Sequence, residues 1–176
     1  GTMVYPSRFM LVCAMNPCRC GWYGHPSGRC RCGENEVKKY LSRLSGPMLD
    51  RIDLHVPVSS VNYEQLRERK PAESSEAIRA RVNAARAIQQ ARYAGTPVHC
   101  NAQLTPGMMA QHCMLTPEAQ ELMAGAFDKL GLSARAHDRI LKVARTIADL
   151  AGEERISHMH VAEAIQYRSL DRDTLL

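Results

Sequence analysis

Four of the seven cysteines fall into two closely spaced pairs within fifteen residues. The pairs are Cys18-x-Cys20 and Cys30-x-Cys32, and nine residues separate them. Zinc takes about four thiolate or imidazole ligands at the corners of a tetrahedron, and a loop of this length can close one. The spacing therefore predicts a Zn²⁺ site formed by the four cysteines, in which His25 could replace one thiol. The alternative is a reduced loop without metal.

Three further side chains stand at positions suited to phosphate chemistry. Asn16 follows an apolar run, at the carboxyl end of a predicted strand, where ligands bind in open parallel sheets. Arg51 lies between Asp50 and Asp53, and a guanidinium at a helix end can reach a phosphate on a neighbouring subunit. Arg135 is near the start of a helix, where the helix dipole already favours anions. The alternatives are a turn residue, a surface Arg–Asp pair and a solvated helix start, respectively.

Arginines also recur in residues 77–116, a stretch that contains no Asp or Glu. Such a stripe could bind a phosphate backbone, but a solvated helix face is the interpretation that we favour. The arginines of this stretch are Arg79, Arg81, Arg86 and Arg92. Near the end of the chain, His158-x-His160 is expected to be an exposed pair rather than a metal site.

Composition limits the class of protein. A length of 176 residues suggests one domain or two small ones, and a net charge of +5 permits an acidic partner such as nucleic acid. With no run of 18 apolar residues and no signal peptide, we expect a cytoplasmic protein with no membrane partner. In that compartment cysteines serve as metal ligands or free thiols. Residues 1–3 resemble a cloning remnant.

Two short strands are predicted before residue 60. Residues 8–15 form a continuous apolar run, which is typical of a buried parallel strand. Residues 52–58 alternate apolar and polar side chains, which is typical of a second strand. Between them, residues 16–33 are rich in Cys, Gly and Pro and predict a loop, and residues 34–44 predict a helix.

From residue 75 onward the pattern predicts a bundle of four helices, each with one apolar face. Ser or Thr caps and glycine stops mark the ends of these helices, at Thr116, Ser133 and Ser157 and at Gly95, Gly131 and Gly152. The predicted inward stripes include Ile78, Val82, Ala85 and Ile88 in the first helix and Ala119, Leu122, Met123, Ala126, Phe127 and Leu130 in the second. The stripe of the third is Ala136, Ile140, Val143, Ala144 and Ile147.

Three segments, taken in order, closely resemble the magnesium-chelatase-like AAA+ ATPases, and within them the YifB/ComM group. The segments are FMLVCAMNPCRCG at residues 9–21, LSRLSGPMLDRIDL at residues 41–54 and SARA at residues 133–136. The resemblance extends from about Tyr5 to Tyr167 and is specific, because the strings around the cysteines and around Arg51 are long and unusual.

The resemblance implies a role for each of the three phosphate-directed residues. Asn16 would be the sensor 1 residue, which orients the attacking water. Arg51 would be the arginine finger, acting on ATP held by the next subunit of a ring, and Arg135 would be the sensor 2 residue of a helical lid. The implied cofactors are ATP and Mg²⁺, and the implied partners are further copies of the chain, in a hexamer, and DNA. The competence branch of the group is linked to DNA branch migration in natural transformation.

The chain departs from this family because it contains no G-x-x-x-x-G-K-[ST] phosphate loop and no apolar strand that ends in Asp-Glu. We therefore expect a C-terminal fragment that does not hydrolyse ATP alone. Its fold class would be mainly α with a small β part: a truncated piece of the AAA+ core at residues 4–60, then an all-α lid at residues 75–170. A linker at residues 61–74 and a tail at residues 171–176 complete the prediction. Without their usual neighbours, the two strands should be loosely held or pair differently.

Two other functions are compatible with the same residues. One is an ATP-independent, zinc-stabilised module that binds nucleic acid, which the cysteine loop and the arginine stretch suggest. The other is a purely structural assembly domain. Salt-dependent binding to nucleic acid would favour the first, and unchanged activity after replacement of the three phosphate-directed residues would favour the second.

Overall fold

The computed structural model of the chain describes residues 1–5, 7, 9–61, 63–67 and 72–168. The described residues form two compact units, one within residues 1–44 and one within residues 45–168. Some predicted features lie outside the described residues. They are Arg8, which is the first residue of the first predicted strand, residues 62 and 68–71 of the linker, and the tail at residues 171–176. The contacts divide the chain after Leu44, whereas the linker at residues 61–74 stays a prediction.

The described part of the first unit contains helix α1 (Glu34–Leu41). At the start of the helix the Gly33 N–H donates to Oε2 of Glu36 at 3.1 Å, which is the one capping-box hydrogen bond that a glycine N-cap can form. Val37 and Leu41 are its buried residues. The predicted helix is therefore present and ends at Leu41, three residues earlier than the pattern suggested.

Neither predicted strand forms in the described residues, although the mainly α-helical class is confirmed. Phe9 and Val12 of the first run are 75% and 82% exposed, and Val58 of the second is 91% exposed. A strand needs a hydrogen-bonded neighbour, and among the described residues strand-like pairing is limited to one isolated bridge between Leu115 and Ile156. The apolar pattern of these runs is real, but residues 9–61 supply no partner for either of them.

The described part of the second unit is helical. Its helices are α2 (Gly46–Leu49), α3 (Tyr63–Arg67), α4 (Ser75–Arg92), α5 (Pro106–His112), α6 (Pro117–Leu130), α7 (Ala134–Ala151) and α8 (His158–Gln166), with a 3₁₀ turn at Asn101–Gln103. Helix α7 packs against α4, α5, α8 and the 3₁₀ turn, and α6 packs against α8. Helix α5 is an element that the four-helix prediction did not include.

The predicted starts and stops of α6 and α7 are confirmed, whereas α4 ends at Arg92, before the predicted stop at Gly95. Hydroxyl oxygens of Thr116 and Ser133 accept hydrogen bonds from the N–H groups at the first turns of α6 and α7, at 3.3 and 3.1 Å. Gly131 and Gly152 end the same helices in the left-handed conformation, with φ of 57° and 73°, where a side chain would be strained.

The core centres on one face of α7, where Ile140, Ala144 and Ala148 are fully buried. The predicted stripe of α7 is inward as expected, but those of α4 and α6 are only partly so. Ala85 of α4, and Ala119 and Met123 of α6, are buried, whereas six other members of the two stripes are exposed: Ile78, Val82, Ile88, Leu122, Phe127 and Leu130. Periodicity identifies an apolar face, but the packing partner decides how much of that face is covered.

Candidate functional site

Two of the three phosphate-directed residues lie at one cavity in the second unit. The cavity has a volume of about 240 Å³ and is lined by Pro47, Asp50, Arg51, Arg135 and Arg139. The first three belong to α2 and the turn that follows it, and the last two belong to the first turns of α7. The fold therefore brings together Arg51 and Arg135, which are far apart in the sequence.

Local structure positions Arg51 at the end of α2. The Ser45 hydroxyl caps this helix by accepting from the Met48 N–H at 3.3 Å, and Pro47 occupies the first turn. Nη1 of Arg51 donates to the Pro47 carbonyl at 2.7 Å. This bond holds the side chain against α2 and engages one of its five N–H groups.

The carboxylates near the cavity are paired with other arginines. Asp53 pairs with Arg139, and Oδ1 of Asp50 lies 3.7 Å from Nη2 of Arg168. The expected alternative, an ion pair of Arg51 with Asp50 or Asp53, is therefore absent from the described residues. Within that same part of the chain, Arg135 has no carboxylate partner either.

Three guanidinium groups line the cavity, against the single carboxylate of Asp50, so its lining carries a net positive charge. Arg51 and Arg135 are exposed and line it without a carboxylate of their own among the described residues, and Arg135 is at the N-terminal end of α7, where the helix dipole adds a further attraction for anions. Planar guanidinium groups bind phosphate and carboxylate oxygens through two parallel hydrogen bonds. This arrangement can hold a small polyanion.

Asn16 belongs to the other unit, in which it is exposed and immediately precedes a turn. The turn closes through a hydrogen bond from the Gly21 N–H to the Cys18 carbonyl at 3.0 Å. Gly21 has a φ of 80°, so a glycine suits this position. The role of Asn16 stays a prediction.

The four predicted metal ligands come together in the first unit. The Sγ atoms of Cys18, Cys20, Cys30 and Cys32 all lie within 4.8 Å of one another. The Sγ–Sγ distances are 3.3 Å for Cys18–Cys20, 3.6 Å for Cys20–Cys30 and 3.8 Å for Cys18–Cys30. A tetrahedral zinc ion with Zn–S bonds of about 2.3 Å requires Sγ–Sγ distances of about 3.8 Å. The donor set and its size therefore fit a metal ion.

Electrostatics around the cluster favour a thiolate at Cys20. Hydrogen bonds from the backbone N–H groups of Arg31 and Trp22 lower the pKa of Cys20 to about 6. The thiolate is the form that ligates metal. His25, which could have replaced a thiol, is instead engaged through Nδ1 with the Ser27 hydroxyl at 2.7 Å. The cluster is thus a set of four cysteines.

Sequence reasoning missed a buried polar network in the second unit. Asp149 is 2% exposed and accepts hydrogen bonds from Arg92, Asn101 and Arg145. Arg92 was predicted to lie on a solvated helix face, and this was wrong because its guanidinium pairs with a buried carboxylate. The available signal was the i, i+4 spacing of Arg145 and Asp149 on α7, beside the apolar face of that helix.

The histidine pair near the chain end is also arranged differently from the prediction. His158 is exposed, but His160 is only 6% exposed, and its Nδ1 accepts a hydrogen bond from the Ser157 N–H at 3.1 Å. This bond is part of the capping box of α8, so His160 has a structural role at the helix start.

None of the helices in the described residues combines the length and the apolar character needed to cross a membrane.

Comparisons with known proteins match both parts of the chain. A family model described as "Magnesium chelatase, subunit ChlI C-terminal" matches residues 72–168, and one described as "Magnesium chelatase, subunit ChlI" matches residues 1–66. The competence protein ComM of Haemophilus influenzae is 41% identical over 169 residues, which are 96% of this chain and 32% of that protein.

Two further relatives cover the same region. The uncharacterized protein YifB of Escherichia coli is 41% identical over 171 residues, 97% of this chain and 33% of that protein. An uncharacterized protein of Mycobacterium bovis is 34% identical over 168 residues, 96% of this chain and 33% of its own length. The chain therefore spans about a third of the length of these curated relatives.

Proposed function

The chain belongs to the magnesium chelatase family, and from this premise we propose that it works within a ring-forming AAA+ ATPase. In this proposal Asn16 is the sensor 1 residue, Arg51 is the arginine finger and Arg135 is the sensor 2 residue. ATP and Mg²⁺ are the cofactors, further copies of the protein are the ring partners, and the cytoplasm is the location. The 176 residues contain no phosphate loop, so the ATP phosphates would be held by residues outside this sequence.

The observation that carries the proposal is the shared cavity of Arg51 and Arg135. An arginine finger neutralises charge that develops on the transferred phosphoryl group, and it can do so on a nucleotide that another subunit holds. Since Arg135 lines the same cavity, we place its guanidinium on the same triphosphate. The pairing of Asp50 and Asp53 with other arginines supports this assignment, because it leaves no carboxylate of α2 or its flanking turn to neutralise Arg51.

A chimaera tests the proposal. The chain replaces the matching third of E. coli YifB, and ATP hydrolysis is measured for YifB, for the chimaera and for its Arg51→Ala and Arg135→Ala variants. Loss of a finger should lower turnover by about 10³- to 10⁵-fold, with the ring still assembled. Arg79→Ala, an exposed arginine of α4, is the control and should leave turnover unchanged. Turnover that survives Arg51→Ala would rule out the finger.

We further propose that the four clustered cysteines hold Zn²⁺. Four sulfur ligands close the coordination sphere and leave no open position for a substrate or water, so the metal would be structural. Cys18 is 1% exposed and lies at the centre of a loop with few other buried residues. Metal binding would supply the stability that this loop lacks in apolar contacts.

For the substrate we propose DNA. ComM of H. influenzae is named a competence protein, and the resemblance of this chain to that group implies DNA branch migration as the remodelling reaction. Nucleotide-dependent movement of the helices that carry Arg135 would couple hydrolysis to that work. ATP-dependent unwinding of a branched DNA by the chimaera would support this substrate, and ATP hydrolysis without unwinding would contradict it.

A second candidate function is ATP-independent binding of nucleic acid by the cysteine loop at residues 16–33. The observation that favours it is local: the cysteine loop combines exposed aromatic and arginine side chains, whereas two of the four arginines at residues 77–116 are held in ion pairs. Arg81 pairs with Glu73 at 2.7 Å, and Arg92 pairs with Asp149. The two candidate functions are compatible, since they use different residues.

A further inference from the structure

We infer that the cysteine loop carries a binding surface for single-stranded nucleic acid, formed by Trp22, Arg29 and Arg31. The inference rests on the metal-held loop proposed above and does not depend on the arginine cavity of the second unit. It concerns where nucleic acid would contact the chain and which form of it would bind, neither of which follows from family membership.

The surface is concave and partly aromatic. A cavity of about 680 Å³ is lined by Cys20, Trp22, Gly28, Arg29 and Arg31. The guanidinium carbon of Arg29 lies 5.2 Å from the centroid of the Trp22 ring, which is within the range of a cation–π contact. The guanidinium therefore lies over one face of the indole and adds a positive charge to an aromatic surface.

The aromatic side chains of the loop are displayed rather than buried. Trp22 is 37% exposed and Tyr23 is 47% exposed, while the adjacent Cys18 is buried. An edge-on contact with His25, with ring centroids 4.9 Å apart, supports Trp22. Exposed aromatic rings of this kind can stack on nucleic-acid bases.

The charge of the loop suits a polyanion. Residues 16–33 contain three arginines and no Asp or Glu, and all three arginines are exposed. A zinc ion with four thiolates carries a net charge of about −2, which the arginines more than offset.

The chemistry favours a single strand over a duplex. Bases of a single strand can stack on an aromatic ring, whereas the bases of a duplex already stack on each other. Arg29 and Arg31, at the rim of the same cavity, would bind the phosphates on either side of a base stacked on Trp22. Sequence preference is not expected, since every base has a π-face.

The only tryptophan of the chain, Trp22, provides a direct readout. The 176-residue chain is titrated with an oligothymidylate of about 15 nucleotides, and the quenching of tryptophan fluorescence is followed. The expected result is saturable quenching whose affinity falls as salt rises from about 50 to about 200 mM. A duplex of the same length should compete poorly, and oligouridylate shows whether the sugar contributes.

Variants are measured by the anisotropy of a labelled oligothymidylate. Trp22→Ala should weaken binding roughly tenfold or more, and Trp22→Phe should retain most of it. Arg29→Ala should weaken binding and lower the slope of log affinity against log salt by about 0.7. The matched control is Arg79→Ala, which removes the same charge from an exposed position on α4 and should change neither value.

Metal content, measured on the same samples, separates this inference from the proposed function. A chain that contains zinc but does not bind oligothymidylate overturns the surface alone. A chain without metal and without binding overturns both the zinc site and the surface. Equal weakening by Arg79→Ala and Arg29→Ala, or duplex binding as tight as single-strand binding, also overturns the surface as described.

Discussion

Arg92 and Asp149 lie 57 residues apart in the sequence and form a two-point ion pair, in which Nη1 of Arg92 donates to Oδ2 of Asp149 at 2.9 Å. The same carboxylate accepts from Nδ2 of Asn101 at 2.8 Å and from Nε of Arg145 at 3.1 Å. The pair therefore joins α4, the 3₁₀ turn and α7 at one buried point.

Removal of the carboxylate should be strongly destabilising. Asp149→Ala leaves two arginines near a buried position without their partner, so the free energy of unfolding should fall by about 3–5 kcal/mol in urea denaturation. The control is Glu73→Ala, which breaks the exposed pair with Arg81 and should cost about 1 kcal/mol or less. Equal losses for the two variants would contradict a structural role for the buried pair.

The same carboxylate should make stability depend on acid. Burial alone would raise the pKa of Asp149, but hydrogen bonds from Arg92 and Asn101 and the charge of Arg145 outweigh it and hold the pKa below its usual value. The contribution is therefore complete above the unfolded-state pKa of about 3.9 and is lost as pH falls through the lower pKa of the folded state. Urea midpoints measured between neutral and strongly acidic pH should fall less steeply for Asp149→Asn, and parallel curves for the two proteins would refute this.

The cavity of Arg51 and Arg135 should bind inorganic tripolyphosphate. At about tenfold excess over its Kd, the anion should raise the melting temperature by about 3–6 °C, because it binds only the folded chain. Arg51→Ala and Arg135→Ala should each remove most of this shift, while Arg79→Ala should keep it. Chloride at the same ionic strength measures the general effect of salt. An unchanged shift in both cavity variants would place the anion elsewhere.

The cysteine loop should copurify with about one zinc ion per chain. Cys18→Ser should abolish retention of the metal during dialysis, because the remaining three sulfurs hold it less tightly. The matched control is Cys100→Ser, since Cys100 lies outside the cluster. Elemental analysis of the three proteins measures the difference, and equal metal content in wild type and Cys18→Ser would exclude the site.

The limits of helices were the most predictable features of the fold. Caps such as Thr116 and Ser133, and stops such as Gly131, form hydrogen bonds or backbone conformations within their own turn. A short stretch of sequence therefore determines where each helix begins and ends. The approach of the four cysteines was predictable for the same reason, because all of them lie within one short loop. Whether metal fills that cluster stays a prediction.

Features that depend on a distant partner were not predictable. The runs at residues 9–15 and 52–58 have strand-like patterns, but a strand also requires a neighbour, and the described residues provide none. Arg92 lies in a stretch without acids, yet its partner Asp149 comes from another helix. Ile78 and Val82 form a regular stripe and remain exposed, since the contacts of α4 with α7 involve its buried C-terminal part.

Helix α7 carries Arg135 near its first residue and Asp149 near its last, and its 18 residues make it about 27 Å long. The far end is anchored to α4 through Arg92, and the near end is held by the buried side chains of Ala136 and Ile140 and by the pair of Arg139 with Asp53. Because both ends are held, an anion that binds beside Arg135 meets a guanidinium whose backbone is fixed in place beforehand, so little ordering of that backbone is left for binding to cost.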